Sequence, residues 1–239
     1  MIPLRMPEAA ENPFAGLTGL QVDRSSAAQQ VADAMRSLIM RGELRPGQPL
    51  PEASLASLLG MSRNTVREAF RLLSAEGLVA YQVHRGVVVR RLTSADIADI
   101  YAARRVLEVS ALGMAVRPAQ LDGLRDAVDA AEAAAAQGDW AAVATSNLQF
   151  HQHIVALIGS SRLDAFFAGM LAQLRLAYAS VTDEAAYFGP YVTENRDLYE
   201  LLAARNRKEA VRRLQRYLDR SGPATQLALE AAERVEAPA

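Results

Sequence analysis

Three arginines recur at four-residue intervals in a segment whose apolar residues keep a helical period. Arg63, Arg67 and Arg71 line one face of a predicted helix, and Val66 and Phe70 mark a neighbouring apolar face. An arginine can hold a guanine base through two hydrogen bonds, and the free amides at a helix start can contact phosphate. The pattern therefore predicts a helix that inserts its N-terminal end into the major groove of DNA.

The start of this helix and a second basic segment complete the predicted DNA surface. A serine precedes the helix as its N-cap, and the first turn places small polar side chains nearest the base edges. A basic hairpin tip would reach the DNA backbone or minor groove. The alternative, that the arginines are only a solvated helix face, stays open for Arg71, which has Glu68 nearby. The predicted DNA-binding residues are Ser62, Arg63, Asn64, Thr65, Arg67, His84, Arg85 and Gly86.

The surrounding periodicity supplies the elements that would hold this surface. Apolar spacing predicts three helices, over residues 25–42, 52–59 and 62–76. The second and third are short and are joined by a turn containing Gly60, which is typical of a helix-turn-helix. The period then changes to that of strands, over residues 78–83 and 87–90. A helix-turn-helix followed by a hairpin predicts a winged helix.

The rest of the chain shows no strand pattern. Apolar residues at helical spacing predict six segments, over residues 94–117, 118–136, 139–158, 161–180, 191–204 and 206–221. The expected fold class is thus mainly α: a winged helix-turn-helix with a small β-hairpin wing, then an all-α antiparallel bundle. The predicted division is a flexible arm (1–23), a DNA-binding domain (24–92), a helical domain (93–222) and a frayed helix or tail (223–239).

Charge is divided unevenly between these parts. Residues 24–92 carry ten arginines and five acidic residues, whereas residues 93–239 carry fifteen basic and nineteen acidic residues. Only the first part is therefore expected to bind a polyanion. The chain lacks cysteine, which excludes disulfides and thiol catalysis and fits the cytoplasm. We find no secretory signal, no membrane span and no nucleophile–base pair that would indicate an enzyme.

The DNA-binding segment resembles the winged helix of the GntR family of transcription regulators. The resemblance is carried by Ser62-Arg63-Asn64-Thr65-Val66-Arg67-Glu68-Ala69, with Leu50-Pro51-Glu52 before it and Glu76-Gly77-Leu78 and His84-Arg85-Gly86 after it. One departure is Asn64-Thr65, where Thr-Pro is commonest in the family. Proline there would preset the first helical turn, so its absence bears on base preference.

The helical domain resembles the FCD effector domain of the FadR branch of that family. The matching segments are Arg104-x-x-x-Glu108, Phe150-His151 and Glu194-Asn195-Arg196. Six predicted helices point to the shorter, VanR-like subgroup. The resemblance implies a small-molecule effector held inside the bundle.

Many FCD domains bind a divalent metal through one Asp and three His. The resemblance places those ligands at Asn147, His151, Asn195 and Tyr217, so one of the four is kept. Neutral amide oxygens are poor ligands for zinc and similar ions. We therefore expect no metal and no other cofactor, and a neutral hydrogen-bonding floor for a polar or aromatic ligand. The alternative is that these polar residues only satisfy one another in the core.

An anionic effector is expected only if an arginine faces the site. The predicted effector-binding residues are Arg104, Asn147, His151, Arg175, Asn195 and Tyr217. The chain as a whole is predicted to be a cytoplasmic homodimeric repressor that binds a palindromic operator in double-stranded DNA and is released by a metabolite. The alternative is a DNA-binding dimer whose helical domain only dimerises and takes no effector.

Overall fold

The computed structural model describes residues 27–114 and 118–236. The predicted arm over residues 1–23 and the predicted helix start at Ser25 lie outside the described residues, as do residues 115–117 and 237–239. Within the described part, no helix is long and apolar enough to cross a membrane.

The N-terminal domain is a winged helix, as predicted. Its elements are α1 (Ala27–Met40), α2 (Glu52–Leu59), α3 (Arg63–Ala75), β1 (Val79–Gln82) and β2 (Gly86–Val89). The two strands pair antiparallel, with Val79 opposite Val89. Phe70 and Leu73 of α3 are fully buried against α1 and the hairpin, because apolar residues recur on that face of α3.

In the described part of the C-terminal domain there are six helices, which confirms the predicted all-α bundle. They are α4 (Ser94–Gly113), α5 (Asp122–Ala136), α6 (Trp140–Ala156), α7 (Ser161–Tyr178), α8 (Glu184–Ala203) and α9 (Arg207–Glu236), with a 3-10 turn at Pro118–Gln120. Helices α5 and α6 pack closely, as do α4 and α9. One apolar core runs through all six helices.

Helix α8 begins earlier than predicted. The predicted segment starts at residue 191, directly after Gly189 and Pro190, but both residues lie inside α8. Asp183 caps the helix by accepting a hydrogen bond from the amide of Ala186 at 3.0 Å. Phe188 and Tyr191, on either side of the proline, are buried in the core. Their packing holds the helix together despite the backbone donor that proline lacks.

Helix α9 continues past the predicted boundary, so the expectation of a tail from residue 223 is wrong as far as Glu236. The hydroxyl of Thr225 lies 3.1 Å from the hydroxyl of Tyr101 and 2.5 Å from that of Tyr187. Gln226 donates to the carbonyl of Ser94 at 2.9 Å, and Leu229 is buried. These contacts fix the last part of α9 against α4.

Helix α7 joins the two domains. Leu171 and Leu174 pack into the bundle core, whereas Ala172 and Leu176 pack into the core of the winged helix. Two side chains of α7 also bond to the ends of α1 and α3: Arg175 Nε donates to the carbonyl of Met40 at 3.0 Å, and Gln173 Nε2 donates to the carbonyl of Glu76 at 2.8 Å. The bundle thus satisfies carbonyls at the C-terminal ends of α1 and α3.

Two glycines make room for these side chains. Gly42 and Gly77 follow α1 and α3 and have φ angles of 76° and 69°, a region that favours glycine. A Cβ atom at Gly42 would collide with Nη2 of Arg175, and one at Gly77 would lie 3.1 Å from Nε2 of Gln173. The ends of both helices are therefore shaped to receive α7.

Candidate functional site

The N-terminus of α3 faces solvent and is capped as predicted. Ser62 Oγ accepts a hydrogen bond from the amide of Thr65 at 3.1 Å, and the two hydroxyls lie 2.9 Å apart. Arg63 and Asn64 are exposed in the first turn. An uncovered helix start offers backbone N–H groups and the positive end of the helix dipole, which suits binding to phosphate.

The arginines of α3 differ in their partners. Arg67 pairs with Glu52 at the start of α2, with Nη2 to Oε2 at 3.0 Å, and this hydrogen bond raises the pKa of Arg67. Arg71 pairs with Glu68 at 3.0 Å, and Arg63 has no partner among the described residues. The sequence analysis missed Glu52, whose position at the predicted start of the neighbouring helix was the available signal. Its carboxylate sets the direction of the Arg67 guanidinium before DNA arrives.

The wing presents an exposed tip. His84 and Arg85 lie between β1 and β2, Gly86 begins β2, and all three are exposed. Next to them, Tyr81 and Val83 are exposed as well. The tip thus combines a cation with apolar surface.

A buried polar cluster lies between α4, α6, α8 and α9. Glu108 is fully buried and accepts two hydrogen bonds: from Arg104 Nε at 2.7 Å and from His151 Nδ1 at 2.5 Å. Burial alone would raise the pKa of Glu108, but the charge of Arg104 and the contact with His151 outweigh it and lower that pKa. Burial lowers the pKa of His151. The cluster therefore holds an Arg104–Glu108 ion pair beside a neutral imidazole.

Tyr217 occupies the centre of the same cluster. Asn147 Nδ2 donates to the hydroxyl of Tyr217 at 2.9 Å. The Tyr217 ring lies 4.9 Å from that of His151 and 5.0 Å from that of Tyr191, measured between centroids. Burial raises the pKa of Tyr217 well above its usual value, so the phenol keeps its proton. Asn195, one turn after Tyr191 on α8, is buried too.

Several polar atoms of these helices are buried and have no partner among the described residues. They are Nη1 and Nη2 of Arg104, Nε2 of His151, Oε1 of Gln152, Oδ1 of Asn195 and Oγ of Ser221. A buried polar group without a hydrogen bond costs about 1–3 kcal/mol, and more when it is charged. Such atoms are rare in folded proteins and need an explanation, of which a ligand is one. The residues of the cluster therefore satisfy only part of one another's hydrogen-bonding capacity.

Four of the six predicted effector residues are linked by contacts here: Arg104, Asn147, His151 and Tyr217. Asn195 is buried one turn after Tyr191, whose ring packs on that of Tyr217. Arg175 lies elsewhere. Its guanidinium lies against Gly42 and its Nε bonds to Met40, so its assignment to the effector site is corrected: it belongs to the junction between the domains.

The four residues expected to form a neutral floor carry no charge, but the Arg104–Glu108 ion pair lies against them through the contact of Glu108 with His151. Glu108 was not predicted as a site residue. The signal was its spacing, since it stands four residues after Arg104 and so on the same helix face.

The cluster does not fit a divalent metal. The described residues contain no group of three or more His, Cys, Asp or Glu side chains that could hold one. The Nδ1 atom of His151 is already used by Glu108, and Asn147 and Tyr217 bond to each other. A zinc-like ion needs several imidazole, thiolate or carboxylate ligands, and amide and phenol groups are poor substitutes.

A concavity lies away from the cluster. It is a cleft of about 300 Å³ between the domains, with Arg45 and Arg91 among its lining residues and Leu176, Val181 and Leu229 forming an apolar part. We place the candidate effector site at the buried cluster instead. The reason is chemical: the partnerless nitrogens of Arg104 and His151 lie there, whereas Arg45 and Arg91 at the cleft are exposed to solvent.

Comparisons with known proteins agree with this two-part layout. Residues 27–89 match the family model described as bacterial regulatory proteins, gntR family, and residues 99–220 match the FCD domain.

The relatives in sequence are transcription regulators. The chain is 34% identical over 171 residues to the probable D-xylose utilization operon transcriptional repressor of Paenarthrobacter nicotinovorans, covering 68% of this chain and 74% of that protein. It is also 34% identical over 155 residues to an uncharacterized HTH-type transcriptional regulator in the TAR-I ttuE-ttuC' intergenic region of Agrobacterium vitis, covering 62% of this chain and 90% of that protein.

A solved structure shows the same fold. It is that of a transcriptional regulator GntR from Rhodococcus sp. RHA1, which is 35% identical to this chain with a TM-score of 0.80. The match covers 84% of this chain and 98% of the other. The winged helix and the bundle therefore recur together in one known protein.

The importance of the ion pair can be tested with Glu108→Gln. This change leaves the Arg104 charge buried without its carboxylate, so we expect the free energy of unfolding to fall by about 3–5 kcal/mol. Urea denaturation at one fixed protein concentration measures it. The control is Glu200→Gln, an exposed position on α8, which should stay within about 0.5 kcal/mol of the wild type. A Glu108→Gln protein as stable as the wild type would show that the pair is not ionised as described.

Proposed function

Because the chain belongs to the gntR family of bacterial regulatory proteins and carries an FCD domain, it is a DNA-binding transcription regulator, and we propose that it is a dimeric repressor released from its operator by a small molecule. The observation that carries the release step is the buried cluster with its partnerless polar atoms. Repression is supported by a relative that is described as a transcriptional repressor.

We assign recognition of the operator sequence to the start of α3 and to the wing. Ser62, Arg63, Asn64, Thr65 and Arg67 would enter the major groove, with Arg63 and Arg67 as candidates for two-bond contacts to guanine. His84, Arg85 and Gly86 at the wing tip would contact the backbone or minor groove.

Dimerisation is proposed from the geometry of operators. A winged helix covers one half-site, and two copies related by a twofold axis match a palindrome with half-sites about one helical turn apart. The winged helix of each copy is bonded to its own bundle through α7. A change in the bundle would therefore alter the spacing of the two recognition helices.

The release step depends on how deeply the cluster is buried. Arg104, Glu108 and His151 have no exposed surface, so a ligand reaches them only when the surrounding helices part. A ligand that binds the state with separated helices must shift the population toward that state. Since α7 packs both in the bundle core and on α1, the shift reaches the winged helix. We propose that this site works without a metal.

The DNA assignment is tested by Arg67→Ala. Loss of one two-bond base contact costs about 1–3 kcal/mol, so operator affinity should fall roughly 5- to 150-fold. Fluorescence anisotropy on a fragment selected by the protein from random DNA measures it. Arg162→Ala, an exposed arginine at the start of α7, should bind as the wild type does. If Arg67→Ala also binds unchanged, α3 is not the recognition helix.

The dimer and the metal-free site are tested together by native mass spectrometry of the intact protein. We expect twice the chain mass, with no increment of zinc, nickel or manganese, because the cluster lacks the charged and imidazole ligands that these ions need. The denatured mass is the reference, and a sample incubated with one equivalent of zinc should also keep the metal-free mass. A monomer would contradict the dimer. One metal ion per chain in the untreated sample would contradict the metal-free site.

Ligand release is tested with a metabolite library in the anisotropy assay. At least one compound should weaken operator binding about 5- to 150-fold, the usual range of coupling between two sites. By linkage, operator DNA should weaken binding of that compound by the same factor. If no compound changes operator affinity, the helical domain takes no effector and serves only dimerisation.

A further inference from the structure

The interdomain cleft of about 300 Å³ has a volume at the lower end of the range for small-molecule sites. Its walls come from both domains. The turn after α1 and the segment after β2 supply Arg45, Pro46 and Arg91, and α7 and α9 supply Leu176 and Leu229. A molecule held in the cleft therefore touches the winged helix and the bundle at once.

Part of this cleft lies outside the segments that match the two family models. Arg91 and Leu92 fall between the matched segments, and Leu229 and Ala232 follow the second one. The two matched domains alone therefore do not account for the cleft, which is completed by residues that this chain adds between and after them.

The charge of the cleft is positive. Among the described residues that line it, two are arginines and none is acidic. The Arg45 guanidinium has no ion-pair partner in the described part of the chain, whereas neighbouring arginines are paired: Arg41 with Glu43 and Arg90 with Asp96. The uncompensated charge at the cleft attracts an anion.

The second arginine is packed beside the first. A Cβ atom at Gly47 would lie 2.6 Å from both Nε and Nη2 of Arg91, so the Arg91 guanidinium lies directly against the turn that carries Arg45. Both positive charges thus belong to the same side of the cleft. An anion placed there meets two guanidinium groups, each of which can donate paired hydrogen bonds to a carboxylate or a phosphate.

Neither arginine lies at the predicted DNA surface. The amide of Gly47 donates to the carbonyl of Val89, the last residue of β2, at 2.8 Å, whereas the wing tip lies at Gly86, the first residue of that strand. The two ends of β2 are about 10 Å apart. The turn that carries Arg45 therefore lies at the base of the wing and faces α7 and α9 across the cleft, where an operator phosphate is not expected.

The remaining lining of the cleft is largely apolar and already packed. Leu92, Leu176, Val181 and Leu229 are each at most 9% exposed, so the cores of the two domains hold them in place. A hydrocarbon group contacts such a surface without repacking it. The cleft therefore combines a cationic side with a preformed apolar side.

We propose that the interdomain cleft binds an organic anion with a small apolar body. The carboxylate or phosphate group lies on Arg45 and Arg91, and the body lies on Leu176, Val181 and Leu229. This site is separate from the buried cluster and does not depend on an effector there. Because both domains line the cleft, the bound anion holds the winged helix in its described position against the bundle.

The test compares matched compounds on the full-length protein by calorimetry and thermal shift. The probes are hexanoate, octanoate, phenylacetate and phenyl phosphate. The controls lack one feature each: acetate and inorganic phosphate have no apolar body, hexanol and 2-phenylethanol have no charge, and 2-phenylethylamine has the opposite charge. At least one probe should raise Tm, and every control should bind at least about 10-fold more weakly than that probe.

Two variants assign the binding to the cleft. Arg45→Gln removes an exposed cation and should weaken binding of the probe about 5- to 20-fold. Ala232→Glu adds a carboxylate to the lining and should weaken it about 10-fold or more, because like charges repel. The matched controls are Arg41→Gln and Ala231→Glu, at exposed positions outside the lining, and they should bind as the wild type does.

Operator binding separates this site from the DNA surface. Without a probe, Arg45→Gln should bind the operator within about 2-fold of the wild type. A loss as large as that expected for Arg67→Ala would show that Arg45 contacts DNA, and it would overturn the assignment. Controls that bind as tightly as the probes would overturn it too, as would folded Arg45→Gln and Ala232→Glu proteins with wild-type affinity for the probe. If no probe binds, the inference about the cleft fails and the repressor proposal stands.

Discussion

A carboxylate buried in an apolar helical bundle must keep its partners within hydrogen-bond distance, and the C-terminal domain is organised around this constraint at Glu108. Helix α4 supplies Arg104 one turn away, and α6 supplies His151. The Tyr217 ring of α9 then packs against His151. One charged group thus sets the relative positions of three helices, because a displaced partner would leave a buried charge unpaired.

The same arrangement leaves polar atoms of the bundle without a hydrogen bond to any described residue. Glu108 accepts one bond from Arg104 on Oε1 and one from His151 on Oε2. The two terminal nitrogens of Arg104 stay buried without such a hydrogen bond, although its guanidinium lies over the Tyr101 ring, 4.8 Å from the ring centroid. Helix α7 packs in the cores of both domains, so a movement of the bundle would reach the winged helix through it.

The DNA-binding half was predictable because its signals are local. The cap at Ser62 joins residues three apart, and the apolar face of α3 repeats every three or four residues. The helices of the bundle were predictable from the sequence, but the residues at which they begin and end were not. The Gly189-Pro190 pair resembles a helix break, and only the tertiary packing of Phe188 and Tyr191 shows why α8 continues through it.

The composition of the site was predictable in part. Family resemblance brought Asn147, His151 and Tyr217 together, but it marked Glu108 only as part of a matching segment and not as a site residue, and the contact of Glu108 to His151 spans 43 residues of sequence. Arg175 was assigned to the wrong surface. Helix α7 is buried on two sides, and periodicity cannot tell which side faces which domain.

The glycines after α1 and α3 bear on how far the two halves can be treated as interchangeable modules. Gly42 and Gly77 accept Arg175 and Gln173 from the other domain, and a side chain at Gly42 would strike the arginine. A chimera that joins this winged helix to a different effector domain would keep Gly42 and Gly77 but lose the Arg175 and Gln173 side chains that pack against them. A working exchange of domains therefore has to preserve the contacts between α7 and the ends of α1 and α3.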